Sequence, residues 1–105
     1  MKTAFMYTIA FVEGFDKYFK KIIKKNPILT KKFYKTIDLL ALDPNYPSLN
    51  SHKVDIIGQE DVWVSRISGD IRLVWFYDGN QKLIINCIKI GTHNGANQIY
   101  NQKSS

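Results

Sequence analysis

Cysteine is nearly absent from these 105 residues: Cys87 is the single one. That excludes an internal disulfide and any site built from several thiolates. Cys87 falls inside an apolar run, where a small buried residue is expected, and so little cysteine suits a reducing cytoplasm. Histidine is also scarce. His52 and His93 are the whole complement, and no carboxylates cluster near them, so neither a metal site nor any other cofactor is expected. There is no glycine-rich phosphate loop and no nucleophile elbow. Repeats and low-complexity tracts are missing. The opening run Thr3 to Val12 has the outline of a signal peptide, but it lacks an A-x-A site and runs straight into Glu13. It is also too short to span a bilayer, so it reads as an edge or central strand. Arginine is limited to Arg66 and Arg72, in a protein with thirteen lysines.

What is present describes one folded domain, residues 1–105. Forty-five per cent of the residues are hydrophobic and 13% aromatic, a composition that forms a core rather than a disordered chain. The formal net charge is +6 and the pI about 9.5, which favours an acidic partner: nucleic acid, an anionic membrane or an acidic protein. The charge is uneven. Residues 1–40 hold nine lysines against Glu13, Asp16 and Asp38, while the remaining residues balance. Such a run is first of all a solvated helix face, and it still attracts a polyanion at long range.

Along the chain, Phe5 to Val12 is apolar almost throughout and reads as a strand buried on both faces. Gly14 ends it. Phe15, Tyr18, Phe19, Ile22 and Ile23 then recur at helical spacing, with lysines on the opposite face. This predicts a helix near 14–25. Asn26-Pro27 ends it and caps a second helix near 27–42, with the stripe Leu29, Phe33, Ile37 and Leu40. Asp43 to Glu60 contains Pro44, Pro47 and Gly58 and reads as a connector. Three β-rich runs follow, near 62–67, 71–77 and 82–90, divided by Ser68-Gly-Asp70 and Asp78-Gly-Asn80. The expected fold class is α+β: two N-terminal helices packed on one face of a mainly antiparallel four-stranded sheet, in the order βααβββ.

The first of these turns allows two registers. A three-residue loop, Ser68 to Asp70, sets Ile67 opposite Ile71 and Arg66 opposite Arg72. A two-residue loop, Gly69-Asp70, sets Ile67 opposite Arg72 and parts the arginines, because one slip exchanges the faces. The first is favoured, since it pairs two apolar residues on a buried face. It also opposes two like charges, which a sheet disfavours unless an anion visits.

The polar residues that stand out are His52 and Lys53 in the connector, Arg66, Asp70 and Arg72 on the meander, and His93 and Tyr100 after it. Histidine moves protons near neutral pH. Arginine holds phosphate bidentately and stabilises charge growing on it. Together they suit metal-independent phosphodiester cleavage.

The order of elements, with Leu39 to Pro44, Leu49 to Lys53, Val62 to Arg66, Gly69 to Trp75, Ile88 to His93 and Ile99-Tyr100, resembles the RelE/ParE superfamily of toxins from bacterial type II toxin–antitoxin modules. The similarity spans about residues 5 to 100. Ser51-His-Lys53 and Gly91-Thr-His93 are most similar to the RelE and YafQ branches. The resemblance implies a RelE-like fold and a ribosome-dependent mRNA endonuclease in which the RNA 2′-OH attacks its own phosphate, inhibiting translation. It also implies an acidic antitoxin, joined with the toxin in a hetero-oligomer. By resemblance His52 falls on a catalytic histidine of the YafQ-like branch, Arg72 on an arginine of its Arg-Leu-aliphatic-aromatic strand, Asp70 on its aspartate and His93 on its Gly-Thr-His histidine. Arg66 stands where that branch has a histidine, and Tyr100 lies farther from His93 than the terminal aromatic usually does. Catalytic roles are thus expected of His52, Arg66, Arg72 and His93, and supporting or RNA-binding roles of Lys53, Asp70 and Tyr100. The alternatives are a ParE-like toxin that inhibits DNA gyrase, and a non-catalytic member that only binds its antitoxin.

Overall fold

The computed structural model describes residues 6–56, 59–80 and 83–92. Strand β1 (Thr8–Phe11) leads to Gly14, whose φ of 95° lies in the left-handed region that glycine enters without strain. The chain turns there into α1 (Phe15–Tyr18), which continues directly as a π-helical turn, Phe19–Ile23. Lys24 N–H closes that turn on the Phe19 carbonyl at 2.9 Å. The predicted stripe faces inward: Phe15 and Ile23 are buried, and Tyr18, Phe19 and Ile22 pack against them. On the solvent side Lys20 pairs with Asp16 at 3.0 Å.

Helix α2 (Pro27–Leu42) starts as its sequence predicts. Asn26 Oδ1 accepts the N–H of Ile28 at 3.0 Å and of Leu29 at 3.1 Å, and Pro27 occupies the first turn, where its missing N–H costs nothing. A cap of this kind contributes about 1 kcal/mol. Phe33 and Leu40 are buried and Leu29 and Ile37 lie against the core.

The sheet has five strands, not the expected four. Between α2 and the meander, after a short 3-10 turn (Pro47–Leu49), comes β2 (His52–Ile56). It forms a hairpin with β3 (Gln59–Ser68), which is followed by β4 (Ile71–Tyr77) and β5 (Ile84–Thr92). The order is β1-β5-β4-β3-β2, antiparallel except for the parallel β1–β5 pair. The connector expected over Asp43 to Glu60 therefore holds a strand. Its prolines, Pro44 and Pro47, both precede it, so neither removes a ladder hydrogen bond. A second correction concerns the burial of β1. It is one of the two edge strands, as the sequence allowed, but it is exposed at Thr8 and Phe11 and so is not buried on both faces. Ile9 packs into the core, and Phe11, although exposed on one side, lies against Phe15 at 4.9 Å.

The α+β class holds, with both helices on one face. The core there centres on Trp75, which is fully buried, stacked on Trp63 at 5.7 Å and in edge contact with Tyr77 at 5.0 Å. Cys87 is part of this core, and burial pushes its thiol pKa up to about 12. The opposite face carries a smaller cluster, Val54, Val62, Val64 and Val74, with Ile88 against it. Among the described residues no helix is long and apolar enough to cross a membrane.

Candidate functional site

Residues directly opposite in a sheet share a face, so the pairing register fixes which polar side chains meet. On the face away from the helices, Arg66 lies opposite Arg72, and Arg72 opposite Gly91. One row back, His52, Val64, Val74 and Lys89 run across four strands. Next come Val54, Val62, Phe76 and Asn86. His52 is therefore the diagonal neighbour of Arg66, at roughly 7–8 Å between backbones. The valines between these polar groups are buried, which makes the floor of the site apolar and rigid.

The arginine pair exists because of a β-bulge. The turn is the two-residue loop Gly69-Asp70, with Ser68 opposite Ile71 and Gly69 at φ 42°. A regular hairpin of that length would set Ile67 opposite Arg72. The register instead shifts between Arg66 and Ser68, leaving Ile67 as the extra residue. Ile67 stays buried on the helix side. The expected Ile67–Ile71 pairing is thus wrong and the expected Arg66–Arg72 pairing is right. Each of the two registers read from sequence contributes half of what the bulge makes.

The two arginines are held differently. Arg72 is half-buried, and its Nη1 donates to the Gly69 carbonyl at 2.6 Å and to the Ile71 carbonyl at 3.3 Å. A guanidinium has five N–H donors, so those on Nε and Nη2 remain for a ligand. Arg66 is exposed, and its side chain makes no hydrogen bond or ion pair among the described residues. Two positive charges thus sit opposite each other, and among the described residues no carboxylate pairs with either.

His52 is half-exposed at the start of β2. Its Nδ1 lies 3.0 Å from the carbonyl of Asn50, a residue in the left-handed conformation at φ 48°. A carbonyl can only accept, so Nδ1 carries the hydrogen. Nε2 is then the nitrogen free to take or give a proton. The backbone beneath His52 is fastened by buried hydroxyls. Trp75 Nε1 donates to Ser65 Oγ at 2.8 Å, and Ser65 Oγ lies 2.7 Å from Ser51 Oγ. This chain ties the entry of β2 to β3 and β4.

The other candidates do not join this group. Lys53 is on the opposite face, paired with Asp61 at 3.2 Å and lying 5.6 Å from the Trp63 ring centroid. Asp70 is exposed in the turn and makes no ion pair with either arginine among the described residues; the carbonyls of Gly69 and Ile71 orient Arg72 instead. His93 and Tyr100 lie outside the described residues. Lys89 is the addition that the sequence reading missed. Period-two alternation back from Gly91 along β5 was the available signal.

The fold is that of the RelE-type toxins, as the superfamily resemblance implied. Its structural neighbours are RelE-, YafQ- and ParE-type toxins of toxin–antitoxin systems. A metal-bound toxin from Helicobacter pylori is 27% identical and superimposes with a TM-score of 0.65 over 84% of this chain and 96% of that one. A chain of the E. coli DinJ–YafQ complex is 16% identical, with a TM-score of 0.62 over 83% of this chain and 93% of that one. The free E. coli toxin RelE, as a double mutant, is also 16% identical, with a TM-score of 0.59 over 87% of each chain. No family model matches the chain, and no curated protein matches its sequence.

Proposed function

We propose that this protein is the toxin of a toxin–antitoxin pair and acts as a ribosome-dependent mRNA endonuclease without a metal. The observation that carries the reading is the sheet register that sets His52, Arg66 and Arg72 on one face, over a packed apolar floor. Cleavage by 2′-OH attack requires a base for that proton, an acid for the leaving 5′-oxygen, and donors for the phosphorane's charge. His52 Nε2 and His93 are the proton-transfer groups, each contributing roughly 10²–10⁴ in rate. Arg72, already oriented by two carbonyls, clamps the phosphate, and exposed Arg66 closes on it from the opposite strand. Donors of this kind contribute about 10²–10³. The partner in the resting state is an antitoxin, a reading supported by the likeness to a chain of the DinJ–YafQ complex; the net charge of +6 favours an acidic one that covers this basic surface.

Single-turnover cleavage of mRNA on purified ribosomes, with chelator present, tests the reading. Wild type should leave 2′,3′-cyclic phosphate ends. His52→Ala, His93→Ala, Arg66→Ala and Arg72→Ala should each fall at least about a hundredfold. Arg72→Lys should not recover the loss, because a lysine lacks the planar fork. Intact mRNA together with arrested DNA gyrase would replace this reading with the ParE-like one.

A further inference from the structure

A groove of about 380 Å³ runs between α2 and the β3–β4 turn, on the helix side of the sheet. Its α2 wall is Lys32, Lys35, Thr36 and Leu39, one face of the helix at spacings of three and four. Ser48 lines it from the 3-10 turn, and Arg66, Ser68 and Gly69 line it from the sheet. Among the described residues no acidic one lines it. Lys32 Nζ donates to Ser68 Oγ at 3.3 Å, which brings its charge across the groove. Among the described residues, neither Lys32 nor Lys35 has a carboxylate partner within salt-bridge distance. The lysines that do form salt bridges among the described residues, Lys20 and Lys53, lie elsewhere and are neutralised locally.

We propose that this groove is a second anion site, which holds the RNA backbone away from the scissile phosphate. Two uncompensated cations, Lys32 and Lys35, and three hydroxyls in a concave, half-polar channel fit phosphodiester oxygens and sugar hydroxyls, and they offer no base-edge code. The position continues the arginine site. Gly69 lines the groove, and its carbonyl holds Arg72 at 2.6 Å. Arg66 links the two through its backbone: its carbonyl accepts from Thr36 Oγ1 at 3.5 Å on the groove side, while its side chain stands on the arginine face. A strand seated in the groove therefore passes over the bulged turn and presents its next phosphates to the arginine pair. The groove gives the lysine excess of residues 1–40 a local purpose at Lys32 and Lys35, whereas Lys24 and Lys25 fall beyond it.

This inference rests on the reading of the protein as an RNA-cleaving toxin, and the experiment separates the two. The probe is a 2′-O-methyl oligoribonucleotide, which cannot be cut by 2′-OH attack. Its binding to the wild-type chain is measured by fluorescence anisotropy across a salt series. Lys32→Ala/Lys35→Ala removes the groove cations. Lys24→Ala/Lys25→Ala removes the same net charge from the exposed turn between Ile23 and Pro27. Each single-strand phosphate contact contributes about 0.7 to the slope of log affinity against log salt. The groove variant should lower that slope by about 1.4 and weaken binding on the order of twentyfold at 0.1 M salt. The control should change both far less. Ser48→Asp, which leaves both lysines in place, should weaken binding as well. Equal losses in the two double variants, or no loss in either, overturn the groove. If the groove variant behaves as expected but wild type leaves ribosome-bound mRNA intact, the groove stands and the nuclease reading falls. If wild type cleaves but the groove variant binds normally, the reverse holds.

Discussion

Arg66 and Arg72 face each other across two strands, yet they should respond to substitution with opposite signs. Directly opposite residues have Cβ atoms about 4.5–5.5 Å apart. With the charged ends splayed to roughly 8 Å in a water-like dielectric, their repulsion is about 0.5 kcal/mol. Arg66 is exposed and has no described partner, so Arg66→Gln removes the repulsion and loses little else. It should stabilise the fold by about 0.5 kcal/mol, a rise in Tm of roughly 2–4 °C for a domain of this size. Arg72→Gln relieves the same repulsion but breaks the charged hydrogen bonds to the Gly69 and Ile71 carbonyls. Such bonds contribute about 1.5–3 kcal/mol when shielded. At half exposure the net should still be a loss, on the order of 1 kcal/mol. Both substitutions should cripple cleavage. Urea denaturation at low salt and at 1 M salt provides the assay, since the Debye length falls to about 3 Å at 1 M and the Arg66→Gln gain should vanish there. An Arg66→Gln protein less stable than wild type, or a gain that persists at 1 M salt, would refute the claim that an unrelieved like-charge pair is held in place for an anionic ligand.

Ser65→Ala leaves the fully buried Trp75 N–H without an acceptor and should cost roughly 2–3 kcal/mol. In the Ser65→Ala background Trp75→Phe should be at least about 1 kcal/mol less damaging than in wild type, and additive effects in calorimetry would dismiss the network. Cys87 has a folded-state pKa raised by burial to about 12, against 9.0 for a free thiol. Its contribution to stability is complete below pH 9 and is lost as pH rises towards 12, by roughly 1.4 kcal/mol per unit. Denaturation midpoints of wild type should therefore fall more steeply than those of Cys87→Ala over that window, and native protein at pH 8 should resist alkylation. Leu40→Ala, at a fully buried site under the sheet, should cost about 2–5 kcal/mol without altering the register of the arginines. Binding of the antitoxin should slow hydrogen exchange around Arg72, and unchanged exchange there would count against a partner that covers the basic face.

Some elements were legible because one local signal decided each of them. Asn26-Pro27 specifies a cap and a first turn together, so the start of α2 follows from two residues. The stripe from Phe15 to Ile23 specifies a helix, although not the widened turn at Phe19–Ile23, which depends on packing rather than periodicity. β2 was hidden because His52 to Ile56 follows two prolines, and a five-residue edge strand has little pattern of its own. Only its pairing with Val62, Trp63 and Val64 identifies it. That miss displaced Lys53 as well. Once His52 is on a strand, Lys53 must face the other way, and its charge is engaged by Asp61 and Trp63.

The bulge at Ile67 is where local and tertiary preferences were both satisfied. Gly69-Asp70 favours a two-residue turn with positive φ at the glycine. The core requires Ile67 on the helix side, beside Leu73 and Trp75. Without an extra residue, those demands would put Ile67 opposite Arg72, on the wrong face. Inserting one unpaired residue meets both, and as a consequence Arg66 and Arg72 come together with their charges unbalanced. Neither the turn nor the core needs the two arginines opposed, and a sheet disfavours it. The turn and the core set the register, but neither requires arginine at the two positions it opposes; a like-charge pair that costs a few tenths of a kcal/mol is what a phosphate-binding role for this face would explain.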